Sequence, residues 1–281
     1  MLTGLRRLGL EVKSLSRARE FYEGRLGLDA ERPGPRATGA DQSTSAVGYE
    51  IGPDGGDAGP TELLLRRPTA VPRGGVHTHY AFSTTAAAYA AWRRRLTDLD
   101  PVEFSFGASD SLYVYDPDGH CVEIGSVDGS PVDGGPGSDG RAADTDGGAN
   151  GDERSNGTGK AASDRRAPPL TGIFEVVLEV RDLDRAEARY RRLGFEVADR
   201  GEERRRVRLG GPVALELWEP QLGIADARGG LHVDLAFTTP NPDAAVESGA
   251  PWPSGPEAVD GGVRVADDDG HVLTFLRSGA E

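Results

Sequence analysis

The sequence has almost no cysteine, methionine or lysine. Of its 281 residues one is cysteine and one is methionine, and the 32 basic residues include only two lysines, Lys13 and Lys160. A single cysteine excludes a disulfide within the chain and a zinc site built from several cysteines. No stretch approaches the roughly 18 apolar residues that a membrane helix needs, and the first residues do not resemble a signal peptide. We therefore expect a cytoplasmic protein without a membrane partner.

Positive charge is also scarce. The 46 acidic residues exceed the basic ones and give a net charge of −14. This balance excludes the basic footprint of a nucleic-acid-binding protein. An acidic, lysine-poor surface is typical of halophilic proteins, because high salt screens its self-repulsion. The one basic cluster, Arg204 to Arg206, is expected at a solvated strand edge or turn.

Two stretches of the chain repeat. The segment 10–18, LEVKSLSRA, recurs at 178–186 as LEVRDLDRA, and 116–124, DPDGHCVEI, is echoed at 267–275 by DDDGHVLTF. A repeat of this length indicates duplicated structural units. The sequence therefore predicts an N-terminal domain at 1–128, a disordered acidic Gly/Asp/Ser linker at 129–168 that has too few apolar residues to fold, and a second domain at 169–281.

Hydrophobic periodicity predicts an α+β fold. In the strand predicted at 5–13, Leu8, Leu10 and Val12 share one face, and a helix capped by Ser16 follows. Shorter strands and a second helix continue the pattern, so each domain consists of two βαβββ modules. Tandem domains of this kind form a cupped, half-open mixed sheet with the helices outside.

Several motifs carry a resemblance to a known family. They are Gly-Leu-x-Val at 9–12, the Asp-Pro-Asp-Gly-x-x-x-Glu ending at 116–123, and the stretch 107–119. With the module pattern, they resemble the vicinal oxygen chelate superfamily, which includes glyoxalase I, extradiol ring-cleaving dioxygenases and bleomycin-resistance proteins. Two-domain members of the catechol-2,3-dioxygenase type are the most similar subgroup.

The resemblance implies one divalent metal, Fe²⁺, Mn²⁺, Ni²⁺ or Zn²⁺, in the N-terminal cup. The family's ligands are a His on the first strand, a His on the fifth and a Glu on the eighth, and these positions match Arg7, His79 and Glu123. An arginine carries only hydrogen-bond donors and cannot bind a metal. His77, two residues from His79 on the same strand face, is a possible third ligand.

The pattern leaves two hypotheses for the cup. In the first, His79 and Glu123 hold a metal, and the protein is a ring-cleaving dioxygenase or a glyoxalase-like lyase acting on a small molecule. In the second, no metal is bound, an Arg7–Glu123 ion pair takes its place, and the protein sequesters a small molecule as resistance proteins do. Arg7, Tyr113 and Tyr115 are candidates to contact that molecule. The protein is expected to be a monomer or homodimer.

The second domain departs further from the family pattern. Its equivalent positions are Glu175, Asp234 and Thr274, with His232 on the face of Asp234. These residues predict a hydrogen-bonded polar lining, or a weak site for a hard cation. Cys121 has no evident base beside it and is expected to be a buried apolar side chain rather than a nucleophile.

Overall fold

The computed structural model describes residues 1–30, 46–52, 60–68, 77–106, 109–126, 166–201, 205–220 and 234–279. Within these ranges the chain forms four modules, each with a strand, a helix and further strands. The first module comprises β1 Gly4–Glu11, α1 Leu15–Arg19, a π-helical turn Glu20–Arg25, β2 Ala46–Ile51 and β3 Thr61–Arg66. The second comprises β4 Thr78–Thr84, α2 Ala86–Leu96, a 3-10 turn Thr97–Leu99, β5 Val102–Phe106, β6 Ser109–Tyr115 and β7 Cys121–Ser126.

The second half of the chain repeats this order. The third module comprises β8 Gly172–Glu179, α3 Leu183–Arg192, β9 Glu196–Arg200, β10 Arg206–Gly210 and β11 Ala214–Trp218. The fourth comprises β12 Asp234–Thr239, α4 Pro242–Gly249, β13 Ser254–Val259, β14 Gly262–Ala266 and β15 Val272–Arg277. The predicted fold class, α+β with tandem βαβββ modules on curled mixed sheets, is confirmed. The predicted linker lies almost wholly outside the described residues, so the domain boundaries stay a prediction.

Each sheet combines a module from one half of the chain with a module from the other. The first sheet has the strand order β13-β14-β15-β12-β1-β3-β2, and the second has the order β5-β6-β7-β4-β8-β11-β10-β9. Antiparallel pairs join the halves at the centre of each sheet, β1 with β12 and β4 with β8. We call these the 1/4 sheet and the 2/3 sheet after their modules. Module 1 therefore shares its sheet with module 4, and module 2 shares its sheet with module 3, so the two modules of one half lie in different sheets.

The alternation of β1 sets its two faces as the sequence predicts. Leu8, Leu10 and Val12 are fully buried in a hydrophobic cluster that also includes Tyr22 and residues of all four modules. The opposite face carries Arg7, which pairs in register with Glu62 of β3. The first helix begins two residues earlier than predicted, since Ser14 rather than Ser16 accepts the capping hydrogen bond, from the Arg17 N–H at 3.4 Å. No helix among the described residues is long and apolar enough to cross a membrane.

The repeated Asp-x-Asp-Gly turns join the two modules of each half. Asp116 accepts hydrogen bonds from the Tyr22 hydroxyl at 3.0 Å, the His120 ring at 2.7 Å and two backbone N–H groups of its own turn at 2.9 Å. In the second half Asp267 accepts the Tyr190 hydroxyl at 3.0 Å. Gly119 and Gly270 close the turns at φ values of 89° and 86°, where glycine is favoured. Each turn therefore contacts a tyrosine that follows the repeated segment 10–18 or 178–186. These contacts explain why the two repeated segments occur together in both halves of the chain.

We expect Asp116→Asn to lower the free energy of unfolding by about 1.5–3 kcal/mol at neutral pH, the usual worth of hydrogen bonds to a charged group. Burial alone raises the pKa of Asp116, but its interactions with His120 and with backbone N–H groups outweigh burial and hold the pKa below its usual value. A carboxylate whose pKa is lowered on folding stabilises the protein above the unfolded-state pKa, and this contribution is lost as the pH falls through the folded-state value. Urea unfolding at about pH 7 and about pH 3 measures both effects.

The matched control for this prediction is Asp98→Asn, because Asp98 is an exposed aspartate that pairs with Arg25 at the surface. We expect it to change the unfolding free energy by less than about 1 kcal/mol. An Asp116→Asn deficit of the same size at both pH values would contradict the prediction, because the contribution of the carboxylate charge has to decrease once the pH lies below the unfolded-state pKa.

Candidate functional site

Polar side chains converge on the inner face of the 2/3 sheet. In the strand register Ala81 of β4 lies between Glu123 of β7 and Glu175 of β8. His79, two residues earlier, shares the same face because side chains alternate along a strand. The small Ala81 side chain leaves room between the two carboxylates. His79, Glu123 and Glu175 are at most 5% exposed, and their ligand atoms all lie within 4.8 Å of one another. We call the buried cluster formed by these three residues and their neighbours the pocket.

His79 is held by contacts on two sides. Its Nε2 hydrogen-bonds to Glu123 Oε2 at 3.0 Å, and the Tyr113 ring meets it edge-on with ring centroids 5.6 Å apart. Tyr113 lies directly opposite Glu123 in the antiparallel β6–β7 pair. Burial, followed by the charge of Glu123, raises the pKa of the Tyr113 hydroxyl well above its usual value. Tyr113 therefore stays neutral beside Glu123.

Arginines from β10 line the other side of the pocket. Arg208 ion-pairs with Glu175 and reaches Glu216 Oε1 of β11 at 3.4 Å. Arg206 lies 3.5 Å from the same Glu216 oxygen, and Trp218 Nε1 donates to Glu216 Oε2 at 2.7 Å. Glu216 is thus fully enclosed by donors, at 1% exposure. The arginines neutralise Glu175 and Glu216 but do not extend to Glu123.

The donor set fits a divalent cation. Within the part of the chain that the structure describes, no arginine or lysine forms an ion pair with Glu123, and a buried carboxylate without a positive partner is costly. Glu175 has two oxygens with about four lone-pair sites, so it can contact both Arg208 and a cation. One imidazole and two carboxylates form an N/O set suited to first-row divalent ions. His79, Glu123 and Glu175 are the residues that would hold the ion.

The predicted Arg7–Glu123 ion pair is wrong, because the two residues lie on different sheets. Arg7 belongs to the 1/4 sheet, where its Nε donates to Glu62 Oε2 at 2.8 Å. The first-strand position beside His79 and Glu123 is occupied instead by Glu175, from the second half of the chain. The error arises from the exchange of modules, since β8 rather than β1 pairs with β4.

The three candidate positions of the second domain are also divided between the two sheets. Asp234 and Thr274 lie in the 1/4 sheet with Arg7, and the Thr274 hydroxyl donates to Asp234 Oδ1 at 3.5 Å. Arg66 bridges the nearby Glu11 at 3.2 Å and Asp234 at 3.6 Å. Glu175 is separated from this group. The inner face of the 1/4 sheet is therefore a network of ion pairs and hydrogen bonds, as expected of a polar lining.

Of the remaining candidate residues, some lie in the pocket and others lie outside it. His77 and Cys121 are buried on the face of His79, and His77 stacks on Trp218 with ring centroids 5.5 Å apart and planes within 4°. Tyr115 lies at the rim, 42% exposed. His232 lies outside the described residues. Burial raises the pKa of the Cys121 thiol far above its usual value, which agrees with a role other than nucleophile.

The sequence reasoning missed the residues on β10 and β11. Arg206 was expected at a solvated edge, but it is 2% exposed and pairs with Asp199 at 2.9 Å and with Glu216. The signal was present as alternation: Arg206 and Arg208 on β10 alternate with the buried Val207 and Leu209. On β11, Glu216 lies between the buried Leu215 and Leu217. Alternation also places such residues on a solvated face, so it could not identify them as pocket residues without the sheet order.

The fold of the chain is similar to that of solved glyoxalase and dioxygenase structures, as its motifs suggested. A candidate dioxygenase from Bacillus subtilis aligns with a TM-score of 0.65 at 14% identity, over 99% of this chain and 86% of that one. Glyoxalase I from Zea mays aligns with a TM-score of 0.60 at 14% identity, over 98% and 92%. The cppA protein of Streptococcus pneumoniae aligns at 0.52 and 10%, over 99% and 100%. No family model matches the sequence, and no curated protein matches it.

Proposed function

We propose that the pocket of the 2/3 sheet binds one divalent cation through His79, Glu123 and Glu175, and that the protein is a glyoxalase-like lyase acting on a small molecule with adjacent oxygen atoms. The observation that carries the proposal is the convergence of these three buried donors within 4.8 Å, with no arginine or lysine paired with Glu123 among the described residues. The glyoxalase I and dioxygenase structures with the same fold make a metal-assisted enzyme the natural class to test.

The donor set favours a lyase over a ring-cleaving dioxygenase. Non-haem iron oxygenases use two histidines and one carboxylate, whereas this pocket offers one histidine and two carboxylates. Carboxylate-rich sets suit Mn²⁺ and, with an imidazole, Ni²⁺. Such an ion would act as a Lewis acid that polarises a substrate oxygen. We therefore propose Mn²⁺ or Ni²⁺ and a reaction without a change of oxidation state.

The surrounding side chains suit a small, partly planar substrate. Phe104 meets the Tyr113 ring edge-on with ring centroids 5.5 Å apart, and these rings form one wall. Trp218, held by its hydrogen bond to Glu216, forms another. Aromatic walls bind planar groups and exclude water, which strengthens the charge interactions of Glu123 and Arg208 with a bound molecule. We propose that Tyr115, which is exposed at the rim, contacts the part of the substrate that extends toward solvent.

A second candidate function rests on Arg208. Its guanidinium group contacts Glu175 and Glu216 inside the pocket, so Arg208 supplies part of the positive charge that a bound cation would supply. In this alternative the protein binds its small molecule without a metal, as the resistance-type hypothesis predicts. The arginine concerned is Arg208 rather than Arg7.

Metal titration with matched variants tests the proposal. We expect the wild type to bind one Mn²⁺ per chain and Glu123→Gln to weaken that binding at least about 100-fold, because replacing an outer-sphere partner alone costs 10–100-fold. Isothermal titration calorimetry measures both, followed by turnover of 2-oxoaldehyde–thiol adducts and of catechol by the loaded protein. Glu62→Gln, which removes the carboxylate beside Arg7 in the other sheet, is the control and is expected to bind Mn²⁺ as the wild type does.

Three results would contradict the metal-dependent lyase. They are no Mn²⁺ or Ni²⁺ binding, equal binding by Glu123→Gln, or turnover of catechol alone. Absence of binding together with tight uptake of a small aromatic molecule would favour the metal-free alternative.

A further inference from the structure

The pocket contains a second group of convergent donors. His77, His79 and Cys121 are all at most 5% exposed, and their ligand atoms lie within 4.8 Å of one another. Cys121 lies directly opposite His79 in the parallel β4–β7 pair, and His77 precedes His79 by two residues on the same face. Two imidazoles and one thiol are a softer donor set than His79 with two carboxylates.

The hydrogen bonding of His79 leaves one nitrogen available to this group. A carboxylate is an acceptor, so the 3.0 Å contact assigns the proton of His79 to Nε2, where it is donated to Glu123. Nδ1 then carries a lone pair. Nδ1 is buried and has no hydrogen-bond partner among the described residues. A histidine that donates its other ring N–H to a carboxylate is the usual arrangement of a metal-binding histidine.

The other two donors are also fixed in place. The His77 ring is stacked on Trp218 and meets the His79 ring at 75° with centroids 5.8 Å apart. Cys121 lies inside β7, between the Asp-Pro-Asp-Gly turn and Glu123. Donor atoms around a tetrahedral zinc are roughly 3.3–3.6 Å apart, given bonds of about 2.0–2.3 Å. Movements of about 1 Å would therefore bring the three donors into a coordination sphere.

We propose that His77, His79 Nδ1 and Cys121 form a separate site for a thiophilic cation such as Zn²⁺ or Cu⁺, with Glu123 orienting His79 from outside the coordination sphere. On binding, the thiol proton leaves to solvent and Sγ bonds to the ion. The fourth position stays open to water or a small ligand, as in sites with three protein ligands. This site does not rest on the proposed function. Both donor sets use His79, but in different tautomers. Nε2 is the nitrogen beside Glu123, so an ion of the carboxylate set requires the proton on Nδ1, whereas a thiophilic ion requires it on Nε2. The two ions therefore compete.

Cobalt substitution tests the site directly. Cys121 is the only cysteine of the chain, so a sulfur-to-cobalt charge-transfer band in the near ultraviolet can arise only from its thiolate. We expect reduced wild-type protein titrated with Co²⁺ to develop this band, and Zn²⁺ to abolish it by displacing Co²⁺. We expect Cys121→Ser to lack the band and to bind Zn²⁺ at least about 100-fold more weakly.

Two further variants separate this site from the proposed carboxylate site. Glu175→Gln is expected to lose Mn²⁺ binding and to keep the cobalt band. His77→Phe keeps an aromatic ring on Trp218 and is expected to weaken Zn²⁺ binding while leaving Mn²⁺ binding unchanged. A wild-type cobalt spectrum without a sulfur band overturns the proposal whatever Mn²⁺ does. A sulfur band in a protein that binds neither Mn²⁺ nor Ni²⁺ through the carboxylates supports this site and refutes the other.

Discussion

Replacing Arg208 by methionine is expected to lower the free energy of unfolding by about 3–5 kcal/mol in the absence of divalent cations, the usual cost of removing one partner of a buried ion pair. Arg208 is the group that contacts Glu175, and the two carboxylates it reaches have side chains only 6% and 2% exposed. Methionine keeps most of the volume and apolar stem of arginine while removing the charge. Chemical denaturation at neutral pH in buffer with a chelator measures the loss.

Added Mn²⁺ is expected to return much of this stability. A cation bound by Glu123 and Glu175 supplies the positive charge that the variant lacks, and a ligand at 100 times its dissociation constant adds about 2.7 kcal/mol. The stabilisation by Mn²⁺ is expected to be larger in Arg208→Met than in the wild type, because in the wild type Arg208 already contacts Glu175 Oε2. The double variant Arg208→Met with Glu175→Gln is expected to regain stability without Mn²⁺ and to show no further gain with it.

Arg205→Met is the matched control, because Arg205 precedes the same strand but is 63% exposed in its ion pairs with Asp184 and Glu219. It is expected to change the unfolding free energy by less than about 1 kcal/mol. If Arg208→Met is as stable as this control, Arg208 is not the counter-charge of the pocket. If it is destabilised and Mn²⁺ restores nothing, the carboxylates are not cation ligands and the metal-free binding function is the better account.

The contrast between Arg7 and Arg208 shows what the sequence can and cannot predict. Period-two alternation predicted that Leu8, Leu10 and Val12 lie on the face of β1 that packs under the helix, and that Arg7 lies on the opposite face. In the structure the three apolar side chains are buried in the hydrophobic cluster, and Arg7 is paired with Glu62 on the other face. Alternation is a local property, so it assigns a face and not a partner strand. The same local patterns allow β1 to pair with β4 or with β12. The choice depends on the packing of all four modules, which no short segment encodes.

The same limit explains which pocket residues were predicted and which were not. His79 and Glu123 were predicted together because the family resemblance matches both of them to metal ligands. In the structure they lie on neighbouring strands of one module, with Ala81 and Glu123 in register. Glu175 was predicted as a first-strand residue of a different cup, and Glu216 and Arg208 were not predicted at all. Those three come from the other half of the chain and enter the pocket through the β4–β8 pair. High-salt adaptation and cytoplasmic location rest on composition alone and stay predictions.

Cutting the chain within 129–168 is expected to leave the two halves associated. The β1–β12 and β4–β8 pairs connect them through backbone hydrogen bonds at the centre of both sheets, and one hydrophobic cluster extends through all four modules. A protease site inserted into 129–168 allows cleavage of the folded protein. Size-exclusion chromatography is then expected to show a single 1:1 complex of unchanged hydrodynamic radius, which separates only in denaturant.

Each isolated half is expected not to remain a folded monomer. Without its partner, the N-terminal half exposes one edge of β1 and one of β4, and unpaired inner strand edges promote association with other chains. The divalent-cation site gives a second readout, because His79 and Glu123 are in one fragment and Glu175 is in the other. Mn²⁺ binding is expected to disappear when the fragments are separated and to return when they are mixed and refolded. Two fragments that elute as folded monomers after cleavage would show that each half is self-sufficient. An N-terminal fragment that binds Mn²⁺ as the whole protein does would show that Glu175 is not needed in the site.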